Sequence, residues 1–302
     1  KFCFWQNFFL FLRIKEVGGS LVNHFELYKL KKAGLTNNNI LRILDYQSKY
    51  QKSLSLRDMA VVSCCQHPAL FIETYKQLDV KKLKQEFNQF PSVSILDKHY
   101  PMALKEIYNP PVLLFFQGNL ELLEKPKLAI VGSRRASDIG TKSVLKIIKE
   151  LKNHFVIVSG LARGIDTSAH LACLKNGGQT IAIIGTGLDR FYPKENRELQ
   201  TFLGKNHLVL TEYGPGEEAL SYHFPERNRI IAGLSRGILV VEAKRRSGSL
   251  ITCQIGIEEG RDIFAIPGNI LDGQAEGCLQ LIKEGATCVT SGIDILSEYQ
   301  KG

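Results

Sequence analysis

Four short segments combine glycine or serine with arginine or lysine, and each follows directly after an apolar run. They cover residues 132–137, 160–166, 185–190 and 243–250. Glycine allows a phosphate group to approach the backbone closely, and a helix that begins after such a loop presents unpaired N–H groups. Hydroxyl side chains add hydrogen-bond donors, and basic side chains add positive charge. The combination predicts loops that bind phosphate groups.

The apolar runs before these loops have the composition of buried strands. Runs rich in β-branched residues cover 128–131, 155–159, 180–184, 208–211, 238–242, 263–266 and 287–290. They alternate with helical stretches at intervals of roughly 20 to 30 residues, which is the repeat of a βαβ unit. Residues 91–302 are therefore predicted to form a doubly wound parallel α/β domain. The loops should meet at the carboxyl edge of its sheet, where such folds bind ligands.

The number of these loops indicates which ligand they bind. One loop would suggest a nucleotide, whereas several at one sheet edge suggest a row of phosphates and hence a strand of nucleic acid. The candidate residues are Gly132, Ser133, Arg134, Gly160, Arg163, Gly164, Lys244, Ser247, Gly248 and Ser249. The alternative is that the glycines only form tight turns. Residues 91–302 carry 25 Lys/Arg against 23 Asp/Glu, so the prediction depends on a local basic patch.

The common catalytic motifs do not fit this sequence. The dinucleotide fingerprint requires Gly-x-Gly-x-x-Gly after the first strand, whereas the loop here reads Gly-Ser-Arg-Arg. Asp166 and His170 lie four residues apart on one predicted helix and could form a catalytic dyad. The favoured alternative makes Asp166 a residue of the helix N-terminus and His170 a hydrogen-bonded core residue. We predict no catalytic residue, no metal and no cofactor.

Residues 23–90 are predicted to form a small helical module. Apolar residues recur there at helical spacing, and residues 34–37 supply a break and a cap. The module carries eleven Lys/Arg against six Asp/Glu. This basic surface could contact nucleic acid, or it could be a solvated helix face.

Residues 1–22 contain an aromatic-rich apolar run of about 12 residues, whereas a transmembrane helix needs roughly 20. We interpret this segment as a non-native or disordered extension, because Gly18 and Gly19 can be encoded by a ribosome-binding sequence that precedes a start codon at Val22. A genuine N-terminal helix is the alternative. The seven cysteines form no Cys-x-x-Cys pair, which favours a reducing compartment. The expected location is cytoplasmic, with no membrane contact.

Read in order, these motifs resemble the DNA-processing protein A (DprA/Smf) family. The longest matching segments are SGLARGIDTSAH at 159–170, FPERNRIIAGL at 224–234 and EAKRRSGSL at 242–250. Shorter ones match at 131–134, 185–189, 192–193, 212–216, 265–268 and 285–286. The resemblance covers about residues 24 to 300, and the motifs look most like the streptococcal forms.

The resemblance implies a sterile-alpha-motif-like (SAM-like) helical domain followed by an extended Rossmann-like domain. It also implies a single-stranded-DNA-binding protein of natural transformation, which protects incoming DNA, loads the RecA recombinase onto it and acts as a homodimer. By motif position, Arg134 and Lys244 would contact the DNA backbone. Gly132, Ser133, Arg163, Gly164 and residues 247–249 would surround them.

Two further expectations concern partners and alternatives. Leu281, Ile282 and Ile293 lie on apolar helix faces and are expected at the dimer and RecA contacts, with ordinary core packing as the alternative. The competing functions are a phosphoribohydrolase-type enzyme, which would use Asp166 and Glu242, and a small-nucleotide sensor. Residues 247–252 lack the closing glutamate of the phosphoribohydrolase motif.

Overall fold

The structure, a computed structural model, describes residues 22–300, and these divide into two compact units. The first unit extends to Phe115 and the second begins at Phe116. The domain boundary predicted at residues 90/91 falls inside the first unit and stays a prediction. The interpretation of residues 1–22 lies outside the described residues, apart from Val22.

Helices dominate the first unit, as the apolar spacing predicts. They are α1 (His24–Lys32), α2 (Asn37–Tyr50), α3 (Leu56–Val62), α4 (Pro68–Gln77) and α5 (Val80–Phe87), followed by β1 (Ser92–Ser94), α6 (Met102–Lys105) and β2 (Leu113–Gly118). Thr36 begins α2 through a capping box with Asn39. Strands β1 and β2 pair antiparallel. In the core, the rings of Tyr28, Phe87 and Phe115 pack with centroids 5.4–5.7 Å apart.

The second unit alternates strands and helices. Its strands are β3 (Lys127–Gly132), β4 (Val156–Ser159), β5 (Thr180–Ile183), β6 (Leu208–Thr211), β7 (Gly237–Val241), β8 (Asp262–Ala265) and β9 (Thr287–Cys288). Its helices are α7 (Asp138–Glu150), α8 (Ile165–Lys175), α9 (Arg197–Asn206), α10 (His223–Leu234), α11 (Gly248–Glu258), α12 (Glu276–Lys283) and α13 (Gly292–Gln300). Short 3₁₀ helices cover Leu120–Glu124 and Lys194–Asn196.

These seven strands form a parallel sheet in the order β6-β5-β4-β3-β7-β8-β9. Side chains alternate along each strand, so each strand contributes residues to both faces of the sheet. Helices cover both faces. Leu239 and Val241 join the core beneath α7, α8 and α13, whereas Ile238 contacts Gly256 of α11 on the other face. The predicted doubly wound α/β fold is confirmed.

The order of the strands locates a crevice at the carboxyl edge of the sheet. From β3 the chain proceeds outward through β4, β5 and β6, and then returns to β7 on the other side of β3. The strand order therefore reverses between β3 and β7, which is the position where open α/β sheets bind ligands. No helix within residues 22–300 is long and apolar enough to cross a membrane.

Candidate nucleic-acid interface

The loops after β3 and β7 flank the point where the strand order reverses. Gly132 ends β3 level with Val241 of β7. A Cβ on Gly132 would lie 1.8 Å from the Val241 carbonyl oxygen, so only glycine allows the two strands to approach this closely. Arg134 and Lys244 come shortly after these adjacent strand ends in the chain, and both are exposed.

The loop after β4 touches the loop after β3. Gly164 has φ of +76°, and a Cβ there would lie 2.2 Å from the Ser133 carbonyl oxygen. The same oxygen accepts a hydrogen bond of 3.0 Å from the N–H of Ile165. The sequence predicted a phosphate-binding role for Gly164. In the structure this glycine allows two of the predicted loops to approach closely, and the Ile165 N–H joins them.

Basic side chains at the two central loops form no ion pairs with the acidic residues of the described chain. Arg134, Arg135, Lys244, Arg245 and Arg246 are exposed and form no ion pair within residues 22–300. The Arg134 guanidinium lies over the Phe224 ring at 5.4 Å. Phe224 in turn packs on Tyr192, whose side chain is 45% exposed, with centroids 5.1 Å apart. The local basic patch that the sequence required is therefore present beside exposed aromatic surface.

Arg163, also a predicted phosphate ligand, is in a different electrostatic environment. Its Nε donates a short hydrogen bond to Glu195, in the 3₁₀ helix after β5. This hydrogen bond raises the pKa of Arg163 and lowers the pKa of Glu195. The positive charge of Arg163 is thus opposed by a carboxylate, a pairing across 32 residues that the spacing of motifs did not reveal.

The N-terminus of α7 is occupied by a carboxylate of the protein itself. The Ser137 N–H donates to Glu242 at 2.9 Å, and the Ser137 hydroxyl also bonds this carboxylate. Gly140 leaves the space that Glu242 fills. The expectation that this helix offers unpaired N–H groups to a phosphate is wrong for α7, because the negative charge already interacts with the helix dipole.

The start of α11 is arranged differently. Ser247 precedes the helix, but its hydroxyl bonds the Ser249 hydroxyl at 2.8 Å and caps no backbone N–H. Gly248 is exposed and has no atom within 4 Å of its Cβ position. Ser249 is buried, contrary to its predicted role in binding, so this segment presents the half-buried Ser247 hydroxyl and the accessible Gly248 backbone beside Lys244.

Gly160 is buried and makes room for a side chain that sequence analysis missed. A Cβ on Gly160 would lie 2.0 Å from Nη1 of Arg227. Arg227 is 4% exposed and donates to the Ile183 carbonyl, and burial lowers its pKa to about 10. In the sequence, the only signal for this role of Arg227 is the basic character of the 224–234 motif.

Asp166 and His170 do not form a dyad. Asp166 accepts a hydrogen bond of 3.2 Å from the Gly160 N–H, and burial raises its pKa. His170 Nδ1 lies 2.7 Å from the Thr180 hydroxyl. His170 is fully buried, which lowers its pKa to about 3. The two side chains are structural, as the favoured alternative expected.

The buried His170 should make stability depend on pH. The unfolded chain protonates it below about pH 6.5, whereas the folded protein does so only near pH 3. We therefore expect stability to fall as the pH decreases, by about 2 kcal/mol between pH 7 and pH 5. His170→Gln should remove this part of the fall, as measured by urea unfolding of both proteins. An equal loss in both would contradict the assignment.

Asn228 and Arg229 also form structural ties. Asn228 Nδ2 donates to the Gly248 carbonyl at 3.4 Å and so links α10 to the start of α11. Arg229 forms an ion pair of 2.5 Å with Glu212, and both side chains are largely buried. Contacts within the chain therefore account for both side chains.

Two family models match this chain. The model described as "DNA recombination-mediator protein A" matches residues 92–300. The chain belongs to this family. The model of the "DNA processing protein A sterile alpha motif domain" matches residues 22–83. The predicted resemblance is thus confirmed, and so is the order of a SAM-like helical domain followed by a Rossmann-like domain.

Individual family members agree with this assignment. The DNA processing protein DprA of Streptococcus pneumoniae is 60% identical over 279 residues, which cover 92% of this chain and 99% of that protein. The Bacillus subtilis DprA is 41% identical over 76% of this chain and 84% of that protein.

Two solved structures of the family are similar to this chain. The X-ray structure of DprA from Streptococcus pneumoniae has a TM-score of 0.90 at 61% identity, and the match covers 92% of this chain and 98% of that one. DNA processing protein A from Helicobacter pylori has a TM-score of 0.63 at 27% identity, over 70% and 97% of the two chains. The latter structure is described by its single-stranded DNA binding mode.

Proposed function

We propose that this protein binds single-stranded DNA along the carboxyl edge of its sheet, and that it protects incoming DNA and loads RecA during natural transformation. The observation that carries the proposal is the cluster of exposed basic side chains without ion pairs at the loops after β3 and β7. The relatives support it. The similar proteins are DNA processing proteins, and the Helicobacter pylori structure concerns the single-stranded DNA binding mode of that protein.

The arrangement of the loops suits a row of phosphates. Arg134 and Lys244 extend from adjacent strand ends, and the half-buried Ser247 adds a hydroxyl group on the Lys244 side. Tyr192 offers an exposed ring that packs on Phe224, the ring beneath Arg134, and unpaired bases stack on such rings. A bound single strand would therefore have its charges and its bases recognised within one site.

A binding measurement tests this proposal. A fluorescent single-stranded oligonucleotide and its duplex are titrated with the protein over a series of salt concentrations. We expect preference for the single strand, and log K should fall with log salt by about 0.7 for each phosphate neutralised. A shallow slope, or full competition by a mononucleotide, would overturn the proposal in favour of a small-nucleotide sensor.

The same binding assay makes Glu195 informative. Glu195→Gln should release Arg163 for a phosphate, because it removes the carboxylate that bonds the guanidinium. We expect single-strand affinity to rise about two- to threefold, since exposed ion pairs are weak. Glu258→Gln, at the far end of α11, is the matched control for net charge. Equal gains in the two variants would mean that only overall charge changed.

The absence of catalytic turnover is part of the proposal. A phosphoribohydrolase would need the carboxylates of Asp166 and Glu242 to face a substrate. Here Asp166 is buried against the Gly160 N–H, and Glu242 bonds Ser137. These contacts favour a binding protein over an enzyme.

The homodimer and the RecA contact remain proposals for the surface near α12 and α13. Leu281 is only 7% exposed within its own chain, whereas Ile293 is 65% exposed. Ile282 is intermediate. Of the three predicted residues, Ile293 therefore offers the most surface to a partner, and it is the better position for a charge substitution.

A further inference from the structure

An apolar tip projects from the loop between β8 and α12. We call residues 267–275 the β8 loop. Ile270 is 82% exposed and Leu271 is 89% exposed, the two highest values among the large hydrophobic residues described in the structure. Isolated exposed hydrophobic residues are common on protein surfaces, but these two are adjacent and lie beside a basic site.

The β8 loop is a closed structure. At its base, a Cβ on Gly268 would lie 2.4 Å from the Ala275 Cβ, so the two ends of the loop meet. Asn269 Oδ1 accepts from the Leu271 N–H at 2.9 Å, and the Asn269 carbonyl accepts from the Asp272 N–H at 3.0 Å. Local hydrogen bonds thus hold the tip in an outward conformation.

Two contacts attach the β8 loop and the residues after it to the candidate DNA site. Gln274 Oε1 accepts a hydrogen bond of 3.1 Å from the Ser133 hydroxyl, next to Arg134. The Gly277 N–H donates to the Ala243 carbonyl at 2.6 Å, next to Lys244. The loop that carries the apolar tip is therefore anchored to the β3 loop, and the helix that follows it is anchored to the β7 loop.

We infer that Ile270 and Leu271 form an apolar lip that contacts the unpaired bases of a strand whose phosphates bind Arg134 and Lys244. The inference deepens the proposed function and rests on it. An unpaired base presents an apolar face directly beside its charged backbone, which is the combination that this surface matches. In a duplex the bases are already stacked, so the lip favours single strands.

The surrounding charge argues against a second copy of the chain as the occupant. Arg134, Arg135, Lys244, Arg245 and Arg246 all flank the crevice and are exposed. A second copy placed there would bring the same cations and be repelled. A polyanion with apolar faces complements both the positive charge and the exposed aliphatic side chains.

The test uses the whole protein with serine at both positions, Ile270→Ser with Leu271→Ser. Binding is measured to a single-stranded oligonucleotide and to an abasic oligonucleotide of the same length. We expect about a fivefold loss of affinity for the normal strand, because apolar area is no longer buried. The salt slope should not change, since no phosphate contact is lost. On the abasic strand, the double variant and the unmodified protein should have equal affinity.

Leu171→Ser is the matched control, because Leu171 is 51% exposed on α8. Thermal melting verifies that each variant is folded, and light scattering gives its oligomeric state. Unchanged affinity in the double variant would overturn the lip while leaving the proposed function intact. Equal losses on normal and abasic strands, or a changed oligomeric state, would also overturn it. Failure of the unmodified protein to bind single strands would overturn the proposed function itself.

Discussion

Replacing Arg134 by alanine is expected to weaken single-strand binding about tenfold, the effect of losing one charge-assisted hydrogen bond of about 1.5 kcal/mol. Arg134 is exposed, forms no ion pair in the described part of the chain, and lies over Phe224 beside the strand-order reversal. The salt slope should also decrease by about 0.7, because one fewer phosphate is neutralised. Fluorescence titration over a salt series measures both quantities.

Lys175→Ala is the control for this experiment. Lys175 is exposed in the last turn of α8, whose other end approaches the site, so the substitution removes the same charge at the opposite edge of the sheet. We expect it to change affinity little. If the two variants lose affinity equally with equal slopes, only long-range electrostatics is involved and Arg134 is not a direct contact.

Gly164→Ala is expected to lower the free energy of unfolding by about 3 kcal/mol. Part of this is backbone strain, because φ of +76° with ψ of −124° lies outside the regions that alanine adopts readily and costs about 1–3 kcal/mol. The rest comes from the new Cβ, which would lie 2.2 Å from the Ser133 carbonyl oxygen and force the β3 loop to move. Urea unfolding measures the loss of stability, and single-strand affinity should fall as well, since Arg134 moves with the loop.

Gly177→Ala is the control for a positive φ without a steric contact. Gly177 has a similar φ of +68°, but no atom lies within 4 Å of its Cβ position. It should show the strain alone, about 1 kcal/mol, with DNA binding unaffected. If Gly164→Ala costs no more than Gly177→Ala, the contact between the β3 and β4 loops is not tight and the interpretation of Gly164 fails.

The strands could be predicted because a buried parallel strand requires continuous apolar residues. The predicted run 208–211 coincides with β6, and the run 128–131 differs from β3 by one residue at each end. The run 287–290 was longer than β9, which ends at Cys288, because an apolar run also continues into the buried Val289 beyond the strand.

The side-chain partners within the site could not be predicted. Glu242 bonds Ser137 across 105 residues, and Ser133 bonds Gln274 across 141 residues. Motif spacing along the chain contains no information about such pairs, which depend on how the strands are ordered. The role of Gly160 was missed for the same reason, since the guanidinium it accommodates comes from α10.

The bond between Glu242 and Ser137 has a consequence for the entropy cost of the proposed DNA binding. Glu242 has an unusual left-handed backbone conformation, with φ of +53°, directly before Ala243 and Lys244. Its carboxylate fastens the β7 loop to the start of α7, which follows the β3 loop. The two basic loops are thus preorganised before any ligand arrives, so little conformational entropy is lost on binding. In the proposed complex, the protein site would keep its shape and the DNA strand would adapt to it.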